Sequence, residues 1–134
     1  MVLAVGSDER AAATSYKGGC LCGKIQYVVA GPSDFPHYCS CAHCQKWSGA
    51  PAVGWVDFPL AGFQWTGEGG EPAWYWTYPD TKRGFCASCG GSICAVDEGA
   101  KTICLTLASL DDDDEIVPAS HSFASSAPSW WRDR

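Results

Sequence analysis

The sequence predicts an all-β fold, a single domain of short antiparallel sheets, on three observations. Fifteen Gly and eight Pro are scattered along all 134 residues. Apolar residues almost nowhere recur at helical spacing for more than two turns, which excludes long helices. Short runs that alternate apolar and polar, or are rich in aromatic residues, recur instead, and these are strand signals.

Taken in chain order, residues 1–17 are expected to be a flexible leader, because Arg10 to Ser15 carries neither alternation nor large apolar side chains. Residues 18–134 form the domain, a length that suits one core. Its first strand is expected near Lys24–Val29, where Ile25, Tyr27 and Val29 share one face. Further short strands are expected over 52–56, 63–66, 73–78 and 92–96, the third of these being the aromatic stretch Ala73-Trp-Tyr-Trp-Thr-Tyr78. The last clear alternation is Ile103, Leu105 and Leu107 against Thr102, Cys104 and Thr106. The acidic run Asp111–Glu115 has no glycine-turn spacing of a calcium loop, and is expected to be a solvated surface. Edge strands in so small a β domain also suit a homodimer.

Charge and targeting narrow the function. Nine Lys+Arg stand against fifteen Asp+Glu, a net charge of -6, whereas a nucleic-acid partner needs clustered positive charge. The apolar start, Met1–Gly6, is too short and lacks the basic flank of a signal peptide. No stretch reaches the length of a membrane span. The expected location is therefore the cytoplasm, where thiols stay reduced.

The nine cysteines cannot all pair internally, and seven of them fall in three clusters: Cys20-x-Cys22-Gly23, Cys39-x-Cys41-x-x-Cys44 and Cys86-x-x-Cys89-Gly90. A structural zinc site takes four ligands, typically two from each of two loops. Cys20, Cys22, Cys86 and Cys89 supply that number. The middle cluster supplies three, leaving a tetrahedral ion one position short, which is the mark of a catalytic site. A histidine, His37 or His43, is the alternative that would close it. Cys94 and Cys104 stand alone in strand candidates and are expected to be packing residues, with Cys94 a reserve ligand.

Three segments carry a resemblance: Gly18-Gly-Cys-Leu-Cys-Gly-Lys-Ile25, Cys39-Ser-Cys-Ala-His-Cys-Gln-Lys46 followed by Ser48-Gly49, and Arg83-Gly-Phe-Cys-Ala-Ser-Cys-Gly90. In order and spacing they resemble the glutathione-dependent formaldehyde-activating enzyme (GFA) family, and Pro118-x-x-His121 with Trp130 resembles its closing segment. The resemblance implies a zinc-bearing β fold of the Mss4-like, or β-tent, kind. It also implies two zinc ions per chain, a structural one on Cys20, Cys22, Cys86 and Cys89 and a catalytic one on Cys39, Cys41 and Cys44. Ser40 stands where many members have His, Gln45 where Arg is frequent, and Thr77–Lys82 lacks the usual Ser-rich pattern.

Three thiolates leave a zinc ion with a formal charge of -1, a weak Lewis acid for water but well matched to sulfur. A thiol entering the open position would lose its proton and could add to a small aldehyde. The family's reaction, glutathione plus formaldehyde giving S-hydroxymethylglutathione, makes the expected activity that of a carbon–sulfur lyase. His43 and His121 are candidates for moving the proton, Lys46, Lys82 and Arg83 for offsetting the negative charge of glutathione, and Trp47 for walling the pocket. A thiol carrier without catalysis, or a zinc-stabilised interaction domain, uses the same cysteines.

Overall fold

Ten strands and one α-helix are described in the computed structural model, which covers residues 14–112 and 114–131. The strands are β1 (Ser15–Gly19), β2 (Gln26–Ala30), β3 (Asp34–Cys39), β4 (Val53–Pro59), β5 (Phe63–Trp65), β6 (Ala73–Thr77), β7 (Thr81–Phe85), β8 (Ser92–Asp97), β9 (Thr102–Thr106) and β10 (Ser120–Ser122). The helix, α1 (Ala42–Ser48), lies between β3 and β4. The expected leader falls largely on residues 1–13, outside the described residues, while Ser15, Tyr16 and Lys17 are strand β1, paired with β2. No described helix is long and apolar enough to cross a membrane.

The strands form a three-stranded sheet in the order β1-β2-β5 and a seven-stranded sheet in the order β10-β3-β4-β9-β8-β7-β6. The sheets are not purely antiparallel as expected: β10 runs parallel to β3, with His121 opposite Tyr38. The physical reason is the route of the chain. A long excursion after β9 lets β10 approach the edge from the other side, as no tight hairpin could.

Alternation along the strands divides the residues between two faces. Ile25, Tyr27 and Val29 of the small-sheet side are buried against Val56 and Phe58 of β4, Ile93 of β8, and Ile103 and Leu105 of β9. This is the main core, and it contains the residues whose period-2 pattern marked them in the sequence. Tyr27 is 1 % exposed, yet its hydroxyl is satisfied by Ser109 Oγ at 2.6 Å. On the opposite face of the large sheet lies a second cluster, Cys39, Cys44, Val53 and Trp55, packed under α1.

The helix starts and stops for local reasons. Cys41 is its N-cap, its sulfur accepting the Cys44 N–H at 3.3 Å. Gly49, at φ 72°, closes the other end with an N–H bond to the Gln45 carbonyl at 2.8 Å, in the left-handed conformation that glycine adopts without steric cost. Trp47 then stacks on Trp55 with centroids 5.7 Å apart and planes 3° from parallel, which seats α1 on the sheet.

Candidate functional site

Four sulfurs meet where the two sheets join. Cys20 and Cys22 lie in the turn between β1 and β2, Cys86 and Cys89 in the turn between β7 and β8, and all four Sγ atoms lie within 4.8 Å of one another. Cys22 Sγ is 3.7 Å from both Cys20 Sγ and Cys86 Sγ. A tetrahedron of sulfurs about 2.3 Å from a central ion has edges of about 3.8 Å, so these distances fit such an ion directly. The backbone completes the cradle: the N–H of Ile25 donates to Cys20 Sγ at 3.3 Å, and those of Ser88 and Cys89 donate to Cys86 Sγ at 3.3 and 3.5 Å. Hydrogen bonds from the backbone of Cys22 and Gly91 hold the Cys89 thiol down at about 6.

The second cluster sits on the opposite face of the large sheet. Cys39 ends β3, Cys41 caps α1 and Cys44 occupies its first turn, and their three sulfurs also lie within 4.8 Å of one another. The group could hold a metal ion with a position to spare. Burial pushes Cys39 up to about 12. Burial acts the same way on Cys41 but is outweighed by hydrogen bonds from the Cys44 N–H and the neighbouring thiols, which leave it below the ordinary thiol value.

A cavity of about 460 Å³ opens over these three sulfurs. Its wall is one face of the large sheet, read two residues at a time along each strand: His37 and Cys39, Trp55 and Asp57, Thr102 and Cys104, Ala95 and Asp97, Thr81 and Arg83. Asp57, Cys104, Ala95 and Arg83 stand side by side in one cross-strand row. Arg83 is 7 % exposed, and its two terminal nitrogens lie 3.8 and 3.7 Å from Cys44 Sγ. Its carbon Cζ is also 5.0 Å from the Trp47 ring centroid and 5.7 Å from that of Trp55. A guanidinium so buried needs a nearby anion, and the thiol cluster is what it faces.

The other residues singled out in the sequence are placed differently. His43 and Lys46 are exposed on α1 and do not line the cavity. His121 is engaged elsewhere: Ser40 Oγ donates to the Pro51 carbonyl at 2.8 Å and is 2.7 Å from His121 Nε2, whose ring is also edge-on to Tyr38 and Trp131. Gln45 reinforces the same seam, its amide donating to the carbonyls of Ser40 and Ser126 at 2.7 and 3.0 Å. Ser40 and Gln45, where the sequence departs from the family pattern, thus tie β10 and the segment after it to the cysteine loop. Trp47 packs on Trp55 and Arg83 rather than lining the cavity.

Two further residues line the cavity: His37, which the sequence offered as a possible fourth ligand, and Cys104. His37 is buried, and its Nδ1–H donates to the Phe35 carbonyl at 2.7 Å, so Nε2 carries the lone pair. Its ring stacks on Phe35 at 4.0 Å. Cys104, read as packing, lines the cavity beside Asp57, while Cys94 is fully buried in the main core. His37 was singled out in the sequence by its position two residues before Cys39, and the two share one strand.

The profile described as glutathione-dependent formaldehyde-activating enzyme matches residues 15–126. The chain belongs to this family. No curated protein sequence matches it significantly. Among solved structures, a crystal structure of a Rhodobacter sphaeroides protein is similar at a TM-score of 0.64 and 17 % identity, covering 79 % of this chain and 99 % of that one. That likeness shows a shared fold. Membership of the GFA family and the two thiol clusters together match the expectation drawn from the cysteine spacing.

Proposed function

We propose that this GFA-family chain is a zinc-dependent carbon–sulfur lyase, adding a thiol such as glutathione to formaldehyde or a related small electrophile, and reversing that addition. The observation that carries the proposal is the open three-thiol cluster at the base of a 460 Å³ cavity, beside a complete four-thiol cluster outside it. Two zinc ions per chain follow, one structural on Cys20, Cys22, Cys86 and Cys89, and one on Cys39, Cys41 and Cys44. A zinc ion at the second site supplies a Lewis acid that lowers the pKa of an incoming thiol.

The chain's own residues do the rest. Arg83 offsets the negative charge of the three cysteines, so that a further sulfur anion can approach at lower electrostatic cost. The cavity walls hold sulfur and carbonyl carbon together, which replaces a bimolecular encounter by a positioned one. In the addition, the thiol S–H bond breaks, a C–S bond forms, and the carbonyl π pair moves to oxygen, which takes the proton. His37, whose Nε2 lone pair is free, is the histidine placed to carry that proton across the cavity.

The test is exchange NMR of glutathione and formaldehyde, following S-hydroxymethylglutathione interconversion with wild type, with Cys41→Ala and with no protein. The uncatalysed background makes the blank essential. Acceleration by wild type alone, with about two zinc ions per chain, is the expected result. Wild-type exchange equal to the blank refutes the lyase.

A further inference from the structure

The charge lining the cavity is asymmetric, and its positive part is already used. Both terminal nitrogens of Arg83 face Cys44, and its Nε is buried with no acceptor. The lysines that the sequence offered lie elsewhere. Lys46 is exposed on α1, and Lys82, alternating with the cavity-facing Thr81 and Arg83, holds its ammonium 4.2 Å from the Trp74 ring centroid. Apart from His37 and the cysteines, the ionisable groups left to meet a ligand are two carboxylates, Asp57 and Asp97.

Neither carboxylate is neutralised by its neighbours. Asp97 accepts a hydrogen bond from the Thr81 hydroxyl. Asp57 stands opposite Cys104 in the pairing of β4 with β9. No lysine or arginine among the described residues forms an ion pair with Asp57 or Asp97. Around the same cavity stand Phe35 and Phe123, both exposed, and these are the two non-glycine residues with positive φ among the described residues, at 48° and 55°. Left-handed backbone at a phenylalanine is strained, and such strain gathers at functional sites. Exposed ring faces add attraction for a cation.

We infer that the thiol this cavity prefers carries an ammonium group, its sulfur at the Cys39, Cys41 and Cys44 cluster and its ammonium drawn to the carboxylates Asp57 and Asp97 of a wall that also carries Phe35 and Phe123. The inference rests on the proposed thiol-binding role of the site and specifies its substrate class: an aminothiol, or the amino end of a peptide thiol, over a thiol whose nearest charge is a carboxylate. In glutathione the γ-glutamyl ammonium is the group that fits, while its carboxylates oppose binding.

The experiment uses thiols of similar size and three charges: cysteamine, 2-mercaptoethanol and 3-mercaptopropionate. Each is titrated into the cobalt(II)-loaded full chain, and the growth of the sulfur-to-metal absorption band gives an apparent Kd. Cys41→Ala checks that the new sulfur goes to the three-cysteine site. Wild type is expected to bind cysteamine roughly tenfold more tightly than 3-mercaptopropionate, a gap that raised salt narrows. Thiol acidity also differs along the series, so the decisive quantity is the ratio of these two Kd values in wild type against variants, in which intrinsic acidity cancels. Asp57→Asn, which keeps an oxygen for the Cys104 thiol, and Asp97→Asn should each shrink the ratio, and together bring it below about threefold. If the double variant does not fold, the single variants and the salt series decide. An unchanged ratio in the variants, or tighter binding of the anion, overturns the inference and leaves the thiol site standing. No thiol-dependent band from any of the three overturns both.

Discussion

Replacing Arg83 by methionine removes a buried charge while keeping a flexible stem of similar length. Its guanidinium nitrogens lie 3.7 and 3.8 Å from Cys44 Sγ. One unit pair at that distance, in an effective dielectric of roughly 20, is worth about 4 kcal/mol. Deleting one partner of a buried pair independently costs about 3–5 kcal/mol, because the other charge is left without compensation. The two routes agree on about 4 kcal/mol. Unfolding entropy of about 2.1 cal/mol/K per residue converts this, over 134 residues, into a fall in Tm of about 14 °C. Denaturant titration and thermal melting of zinc-loaded Arg83→Met measure both quantities, and competition with a chelator should strip one of its two zinc ions at lower chelator concentration. Arg83→Lys, which keeps the charge but not the fork or the ring stacking, should lose less. Stability within 1 kcal/mol of wild type, with unchanged chelator resistance, would refute the assignment of Arg83 as counter-charge to the thiol cluster.

The two cysteine clusters should respond differently to single substitutions. Cys86→Ser should abolish the cooperative unfolding transition seen by circular dichroism, whereas Cys41→Ala should keep it and lose one zinc ion of two by atomic emission. Ser40→Ala should cost about 1–3 kcal/mol in denaturant titration, since the buried Ser40 hydroxyl joins the Pro51 carbonyl to His121 and its loss leaves both without that partner. Alkaline pH should destabilise the chain through Cys94, whose thiol burial raises from 9 to about 12. Its folded-state pKa lies above the unfolded value, and the neutral form is the one retained. Its contribution is therefore complete below about pH 9 and is lost as pH rises towards 12, at a slope of about 1.4 kcal/mol per unit. Comparing the denaturation midpoints of wild type and Cys94→Ala across that range isolates this slope.

The strands legible in the sequence are those with one face in the main core. β2 and β9 announce themselves through Ile25, Tyr27, Val29, Ile103 and Leu105, because a face packed against another sheet must be apolar at every second position. β3 and β7 were hidden for the opposite reason. Their cavity-facing positions are His37, Cys39, Thr81 and Arg83, which destroy the hydrophobic alternation. β3 also contains Pro36 and the left-handed Phe35, and its register with β4 shifts between Asp34 and His37. Local pattern predicts packing, so it fails where a strand serves the cavity. The cysteine grouping was legible because metal ligation is a matter of number and close spacing. The partners of the second cluster were legible only in part: His37 and Arg83 stand close to cysteines in the sequence and were singled out there, whereas Asp57 and Cys104 join the cavity from β4 and β9, which only the sheet order makes neighbours.

The placement of the four-thiol cluster gives a reason for so small a domain to carry two thiol clusters. Cys20 follows β1 and Cys22 precedes β2 in the small sheet, while Cys86 follows β7 directly in the large one. An ion held by all four therefore joins the sheets at one end of the core they share. That clasp bears on the distant cavity through β7, because Arg83 lies on this strand three residues before Cys86, which directly follows it. With the end of β7 fixed, the register that sets Arg83 opposite Ala95 is fixed as well, and the guanidinium is delivered to Cys44 across the sheet. On the proposed reading, metal binding at the first cluster would supply folding energy, whereas at the second it would supply chemistry. The strand between them makes the chemistry depend on the fold: loosening the clasp should release Arg83 before it disturbs any ligand of the second site.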